Sequence, residues 1–230
     1  MTERALALVD IDGTCYPGIM MLPFAELQVQ EGILPAAALE AMHVDLFRYQ
    51  SKEWGYELFA QQILIDWAQG LEGRAYSDVL EQSRRFVQGQ EENFYPFLSV
   101  LTRKLERTHD LYFITGEPQY LGLATHELFP STGFLSTVFE VENGLLTGRV
   151  ERFLAQREGK GLVIAPLLKK YGKRGSIALG DTLGDVEMLE MVENHFCVNP
   201  SVDLAKIACE RSWTVAHSTN VISLIESSLK

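Results

Sequence analysis

The sequence predicts an α/β protein, a Rossmann-like, mostly parallel sheet with helices on both faces, together with a small helical cap. Three observations predict it. An apolar run, ALALV, leads from Ala5 straight into Asp10, Asp12, Gly13 and Thr14. Such a run suits a strand buried on both faces. From about Leu22 to Gly89 the apolar spacing is helical throughout. From Tyr95 onward, helix and strand patterns alternate, as they do where crossover helices cover a parallel sheet.

The elements follow in order. The first strand ends at Asp10, where open α/β sheets place their ligands, and Gly13 permits a sharp turn. Helical patterns then begin near Ile19, at Ala36–Tyr49 and at Trp54–Gly70, with a further helix capped by Ser77. Several helices in one connection are more than a crossover needs. They predict a separate subdomain over 16–91, with 1–15 and 92–230 forming the core. In the core, Pro96–Arg107 is a helix and DLYFITG at Asp110–Gly116 a strand, followed by a helix at Leu121–Leu128. Asn143-Gly144 marks a hairpin between Thr137–Val141 and Leu145–Val150. Lys160–Tyr171 is a helix, SIALG before Asp181 a strand and Leu183–Val192 a helix; His195–Val198 is a strand, and Val202–Arg211 and Asn220–Leu229 are helices around an edge strand, Trp213–Ala216.

Composition narrows the function classes. The chain has 230 residues and a formal net charge of −11. A diffuse acidic balance argues against nucleic acid, whose phosphates require a basic patch. No run has the length and apolarity of a membrane span, and no secretory leader pattern opens the sequence, so a cytoplasmic protein with no membrane partner is expected. Three cysteines, Cys15, Cys197 and Cys209, are odd in number and widely spaced, which suggests reduced thiols. Cys15 reads as a packing residue, with no base beside it in sequence.

Three strand ends carry groups suited to phosphate chemistry. They are Asp10 and Asp12, then Thr115-Gly116, then Gly180-Asp181 with Asp185 beyond. A parallel sheet places them along one edge. Side chains alternate along a strand, so Asp10 and Asp12 can divide their labour; a strand followed by an Asx turn is the other reading of that stretch. Clustered carboxylates call for a cation, and oxygen-only ligands favour Mg²⁺. Asp10 can serve as nucleophile, the Thr115 hydroxyl and Gly116 amide can hold phosphoryl oxygens, and a lysine would balance charge. The five histidines are scattered and suggest no zinc site.

The chain resembles the phosphatases of the haloacid dehalogenase superfamily. DIDGT at Asp10–Thr14 matches the DxDGT motif, and FITG at Phe113–Gly116 matches the strand ending in Thr or Ser. GDTLGD at Gly180–Asp185 matches the acidic motif, preceded by Lys160 on a helix. The helical insertion and CVNPSVDLAKIACERSW at Cys197–Trp213 resemble the phosphoserine phosphatase-like branch. The resemblance implies that Asp10 forms an aspartyl-phosphate and that Asp12 acts as acid, then base. It implies phosphate binding by Thr115, Gly116 and Lys160, and Mg²⁺ held by Asp10, the Asp12 carbonyl and Asp181, with Asp185 in support. The substrate would be a small phosphorylated metabolite and the protein a monomer or homodimer.

Two departures stand out. The branch carries a glutamate nine residues after the nucleophile to meet a substrate amine, and Ile19 stands there. Thr182 replaces a glycine, which should alter loop packing. Specificity should arise in the cap, with Met20, Met21, Phe24, Arg48, Tyr49 and Arg74 as candidates; each also reads as packing or a solvated face. Trp54 and Trp67 read as filling of the helical cap. The expected activity is Mg²⁺-dependent phosphomonoester hydrolysis. The alternatives are a phosphotransferase using the same intermediate, or a non-catalytic phosphate- or metal-binding protein.

Overall fold

The computed structural model describes residues 4–154 and 157–229. Among these residues, β1 (Ala5–Val9), β2 (His109–Pro118), β3 (Gly133–Glu142), β4 (Leu145–Arg152), β5 (Ile177–Gly180), β6 (Asn194–Val198) and β7 (Thr214–Ala216) form one sheet in the order β4-β3-β2-β1-β5-β6-β7. All neighbours are parallel except β3 and β4, an antiparallel hairpin. β1 is central, and its alternation explains why. Ala7 and Val9 face one apolar cluster, Leu6 and Leu8 the other, and all four are fully buried. The strand order reverses between β1 and β5, and there a crevice opens at the carboxyl ends.

Five helices lie between β1 and β2, the first four of them in the insertion: α1 (Met21–Gln30), α2 (Ala36–Gln50), α3 (Tyr56–Gly70) and α4 (Tyr76–Gly89). The core helices are α5 (Phe97–Leu105), α6 (Gln119–Leu128), α7 (Arg157–Tyr171), α8 (Val186–Met191), α9 (Val202–Glu210) and α10 (Val221–Ser228). The expected elements are therefore present, with ends displaced by a few residues. One expectation is corrected. Ser77 does not cap α4; the helix starts at Tyr76, after Ala75, and the Ser77 hydroxyl donates to Asp78 at 3.1 Å. The start is fixed from outside. Ala75 bridges to Leu145, and the Tyr76 N–H donates to the Gly144 carbonyl at 2.9 Å.

Further bonds run between this stretch and the hairpin. Gly73 N–H donates to Leu146 O at 2.8 Å, and Leu146 N–H to Arg74 O at 2.9 Å. Trp67 of α3 packs edge-on against Tyr120 and Phe139, and its indole N–H donates to Gln28 Oε1 at 2.7 Å. Trp67 is fully buried, as expected of a filling residue, whereas Trp54 is partly exposed beneath the Arg48 guanidinium, 4.8 Å from its ring. Phe24, Trp67, Phe113 and Phe139 belong to a single apolar cluster, so the inserted helices and the sheet share one core.

Between α2 and α3 a polar pair is enclosed. Asp45 is 3% exposed, its Oδ2 meets no partner, and burial together with Asp66 pushes its pKa up to about 6. A carboxyl raised in the folded state binds its proton more tightly there than in the unfolded chain. Its ionisation therefore destabilises the fold as pH rises from near 4 through 6. Asp45→Asn should stabilise the protein by about 1–2 kcal/mol at pH 7.5 and leave it unchanged at pH 4. Urea melts at the two pH values check this. Equal midpoints at pH 7.5 would show that Asp45 carries no such strain.

Candidate active site

The site is assembled from three strand ends and one helix. Asp10 follows β1, and its backbone N–H donates to Leu179 O of β5 at 3.0 Å. The β2–β3 register shifts between Ile114 and Pro118, a bulge that re-aims Thr115, Gly116 and Glu117. Beyond β5, Leu183–Asp185 makes a 3-10 turn closed by a reciprocal cap between Thr182 and Asp185. Asp185 Oδ2 accepts from the N–H groups of Asp181 and Thr182 at 3.1 and 3.0 Å. Thr182 thus shapes the loop, as its departure from the motif suggested. From the first turn of α7, Lys160 reaches across the sheet edge.

Lys160 Nζ donates to Asp10 Oδ1 and Asp185 Oδ1, each at 2.6 Å, with all three residues buried. Burial opposes the lysine charge, but the two carboxylates more than offset it and keep the ammonium protonated. The Thr14 hydroxyl lies between Asp10 Oδ2 at 3.1 Å and Asp181 Oδ1 at 3.2 Å. Burial and the neighbouring Asp185 push the Asp10 pKa up to about 7, despite Lys160. Burial and the charges of Asp10 and Asp185 push Asp181 up to about 9. The close approach requires glycine. A Cβ on Gly13, whose φ is +77°, would stand 1.9 Å from Asp181 Oδ2; one on Gly180 would stand 2.4 Å from Asp185 Cβ.

Oxygen atoms of Asp10, Asp181 and Asp185 lie within 4.8 Å of one another. Three mutually repelling carboxylates with oxygen donors alone fit a hard divalent cation such as Mg²⁺. Asp12 stands apart from that trio. Its Oδ1 accepts the Met20 N–H at 3.0 Å, just before α1, and its carboxyl faces that of Glu117. Burial pushes both up, Glu117 further because the Asp12 charge adds to burial. Glu117 Oε1 accepts the Met21 N–H at 3.0 Å, and its carboxyl shares a hydrogen bond with that of Asp12.

A cavity of about 290 Å³ opens over these groups, lined by Asp10, Asp12, Gly116, Lys160 and Asp181 among others. The expected site residues therefore converge, with one refinement. Thr115 is fully buried, accepts the Glu117 N–H at 3.1 Å and does not line the cavity, whereas Gly116 does. Of the candidate specificity residues, Met21 and Tyr49 line it. Met20 and Phe24 are packed in the core, Arg48 covers Trp54, and Arg74 donates to Gly32 O at 3.1 Å on the surface. Sequence reasoning missed Thr14, Glu117, Tyr56 and Phe59. Thr14 closes the DIDGT motif and Glu117 directly follows FITG, and those positions are the available signal. Burial, reinforced by the surrounding carboxylates, raises the Cys15 thiol well above its usual range, in keeping with a packing residue.

Residues 7–190 match the model of a family described as haloacid dehalogenase-like hydrolase. Phosphoserine phosphatase SerB1 of Mycobacterium tuberculosis is 30% identical over 121 residues, 50% of this chain and 39% of that protein. The match spans about two fifths of the mycobacterial relative. A histidinol-phosphatase of Neisseria meningitidis is 24% identical over 226 residues, 92% of this chain and 98% of its own. Among solved structures, a Bordetella pertussis Tohama I protein of unknown function superposes with TM-score 0.79 at 24% identity, covering 94% of this chain and 100% of that one. A phospho-aspartyl intermediate analogue of phosphoserine phosphatase superposes with TM-score 0.68 at 15% identity, covering both chains fully.

Proposed function

Since this chain belongs to the haloacid dehalogenase-like hydrolase family, we propose that it is a Mg²⁺-dependent phosphatase that hydrolyses a small phosphorylated metabolite through an aspartyl-phosphate on Asp10. The observation that carries this reading is the placement of Asp10. It is held by Lys160 and Thr14 at the sheet's switch point, and it borders the cavity. In the first step the Asp10 carboxylate attacks phosphorus and the bond to the alcohol oxygen breaks. Asp12 gives its proton to that leaving oxygen. In the second step Asp12 takes a proton from the water that attacks the aspartyl-phosphate, which frees phosphate and regenerates Asp10.

The Gly116 amide would hold a phosphoryl oxygen, with the buried Thr115 hydroxyl fixing the turn behind it, and Lys160 would balance the charge between Asp10 and phosphate. Asp10, the Asp12 carbonyl and Asp181 would hold the ion, with Asp185 fixing Lys160 and the loop. When bound, Mg²⁺ supplies positive charge against the phosphoryl oxygens. Helices α1–α4 would form the cap over residues 16–91, and the remainder the catalytic core.

Phosphate release from an aryl phosphate tests the proposal. Release should need Mg²⁺, fall to background in EDTA and return on adding Mg²⁺. Release that persists in EDTA would remove the metal from the mechanism. Absence of release from every natural phosphomonoester and acceptor alcohol tried would point instead to a binding protein.

A further inference from the structure

One face of α3 is turned to the cavity. Tyr56, Phe59, Ala60 and Ile63 recur at the spacing of a single helical stripe, and all four line it. Tyr49 of α2 stacks on Phe59, with ring centres 4.8 Å apart and planes 10° from parallel, and the Tyr56 ring stands edge-on to Tyr49 at 6.1 Å. Ile19 and Leu22 extend the apolar surface. The wall is graded in depth. Phe59 and Ile63 are 6% and 2% exposed, whereas Ile19 and Tyr49 are 44% and 38% exposed.

Among the described residues, none of those that line the cavity from the helical insertion carries a charge. The charged groups belong to the floor, where the sole lining cation, Lys160, is already engaged by Asp10 and Asp185. Arg48 lies over Trp54 and pairs with Glu53 at 3.8 Å, and Arg74 donates to Gly32 O; neither lines the cavity. With phosphate held at Asp10, the alcohol half of an ester fills the space beside this wall. A carboxylate or second phosphate there would be stripped of water beside apolar side chains and would face the acids of the floor with no free cation to pair with it. A ring, by contrast, finds aromatic faces and edges to pack against. The cavity, about 290 Å³, stands at the small end of the range for ligand sites, so the alcohol half is small.

Building on the phosphatase reading, we infer that the cavity selects small phosphomonoesters whose alcohol half presents an apolar ring to Tyr49, Tyr56 and Phe59 and carries no second anion.

Three matched esters test this with the Mg²⁺-loaded protein: 2-phenylpropyl phosphate, propyl phosphate, which lacks the ring, and O-phosphotropate, in which a carboxylate replaces the methyl group. The phenyl ester should exceed propyl phosphate by about 10- to 100-fold in kcat/KM, the worth of burying one aromatic ring. It should exceed O-phosphotropate by about 100-fold or more, because a buried carboxylate without a partner is costly. Tyr49→Ala should lower the ring's advantage over propyl phosphate by about 5-fold or more, while Tyr49→Phe, which keeps the stacked ring, should preserve it. These are ratios between esters, so a general loss of activity in a variant does not imitate them. Equal rates for the phenyl and propyl esters, O-phosphotropate as good as the phenyl ester, or an unchanged ring advantage in Tyr49→Ala would each overturn the inference. If none of the three is hydrolysed, that failure counts against the phosphatase reading, and calorimetric binding of the same esters decides the selectivity by itself. The same ranking in affinity sustains it; any other ranking, or no binding, overturns it.

Discussion

Asp10→Asn will yield a folded protein that has lost turnover by about 10⁴-fold or more, the scale on which removal of a nucleophile is felt. Asparagine fills the same volume, and its amide oxygen can still accept from Lys160 or Thr14, which now contact the carboxylate at 2.6 and 3.1 Å. What it lacks is the negative charge and basicity needed to attack phosphorus. The fold should tolerate the change because Asp185 continues to pair with Lys160. One negative charge also leaves a site where burial and Asp185 already push the Asp10 carboxyl up to about 7. Phosphate release and thermal melting together check the expectation. Turnover near that of the wild type would remove Asp10 from the chemistry, whereas loss of the melting transition would show that Asn fails as a structural substitute.

Asp12→Ala should slow turnover by about 10²–10⁴-fold, the usual range for a lost general acid–base. The substitution also removes the acceptor of the Met20 N–H ahead of α1, so Asp12→Asn, which keeps an acceptor, belongs beside it. The two effects separate on the leaving group. A nitrophenolate departs without a proton, an alkoxide does not. Both variants should therefore lose far more kcat/KM, which reports the step that releases the alcohol, on alkyl than on nitrophenyl phosphate. Equal losses in kcat/KM on the two esters would mean that Asp12 does not protonate the leaving oxygen.

Most of the architecture was legible because its signals are local. The unbroken burial of Leu6 to Val9 specifies a central strand, and Asn143-Gly144 specifies the hairpin. The acidic strand ends needed only the parallel topology to bring Asp10, Asp181 and Asp185 together. The misses have a shared cause. The start of α4 depends on Leu145, seventy residues away in the chain, which no local preference for Ser77 as a cap can reveal. The aromatic wall arises because Tyr49 and Phe59 sit on different helices that meet only in the folded protein. Glu117 looks like an ordinary charged residue at a strand end until the bulge in β2 carries it inward.

The stitching of Gly73, Arg74 and Tyr76 to the β3–β4 hairpin bears on how this molecule opens. A helical insertion joined to a sheet only at its two chain crossings could swing as a rigid lid. Here a third attachment of backbone hydrogen bonds, with Trp67 lodged between Tyr120 and Phe139, removes that freedom. Amides of Gly73, Tyr76 and Leu146 should exchange with solvent only through global unfolding, with protection close to that of β1. Insertion and sheet then melt as one cooperative unit. Substrate and product must pass by local displacement of rim side chains such as Ile19 and Tyr49.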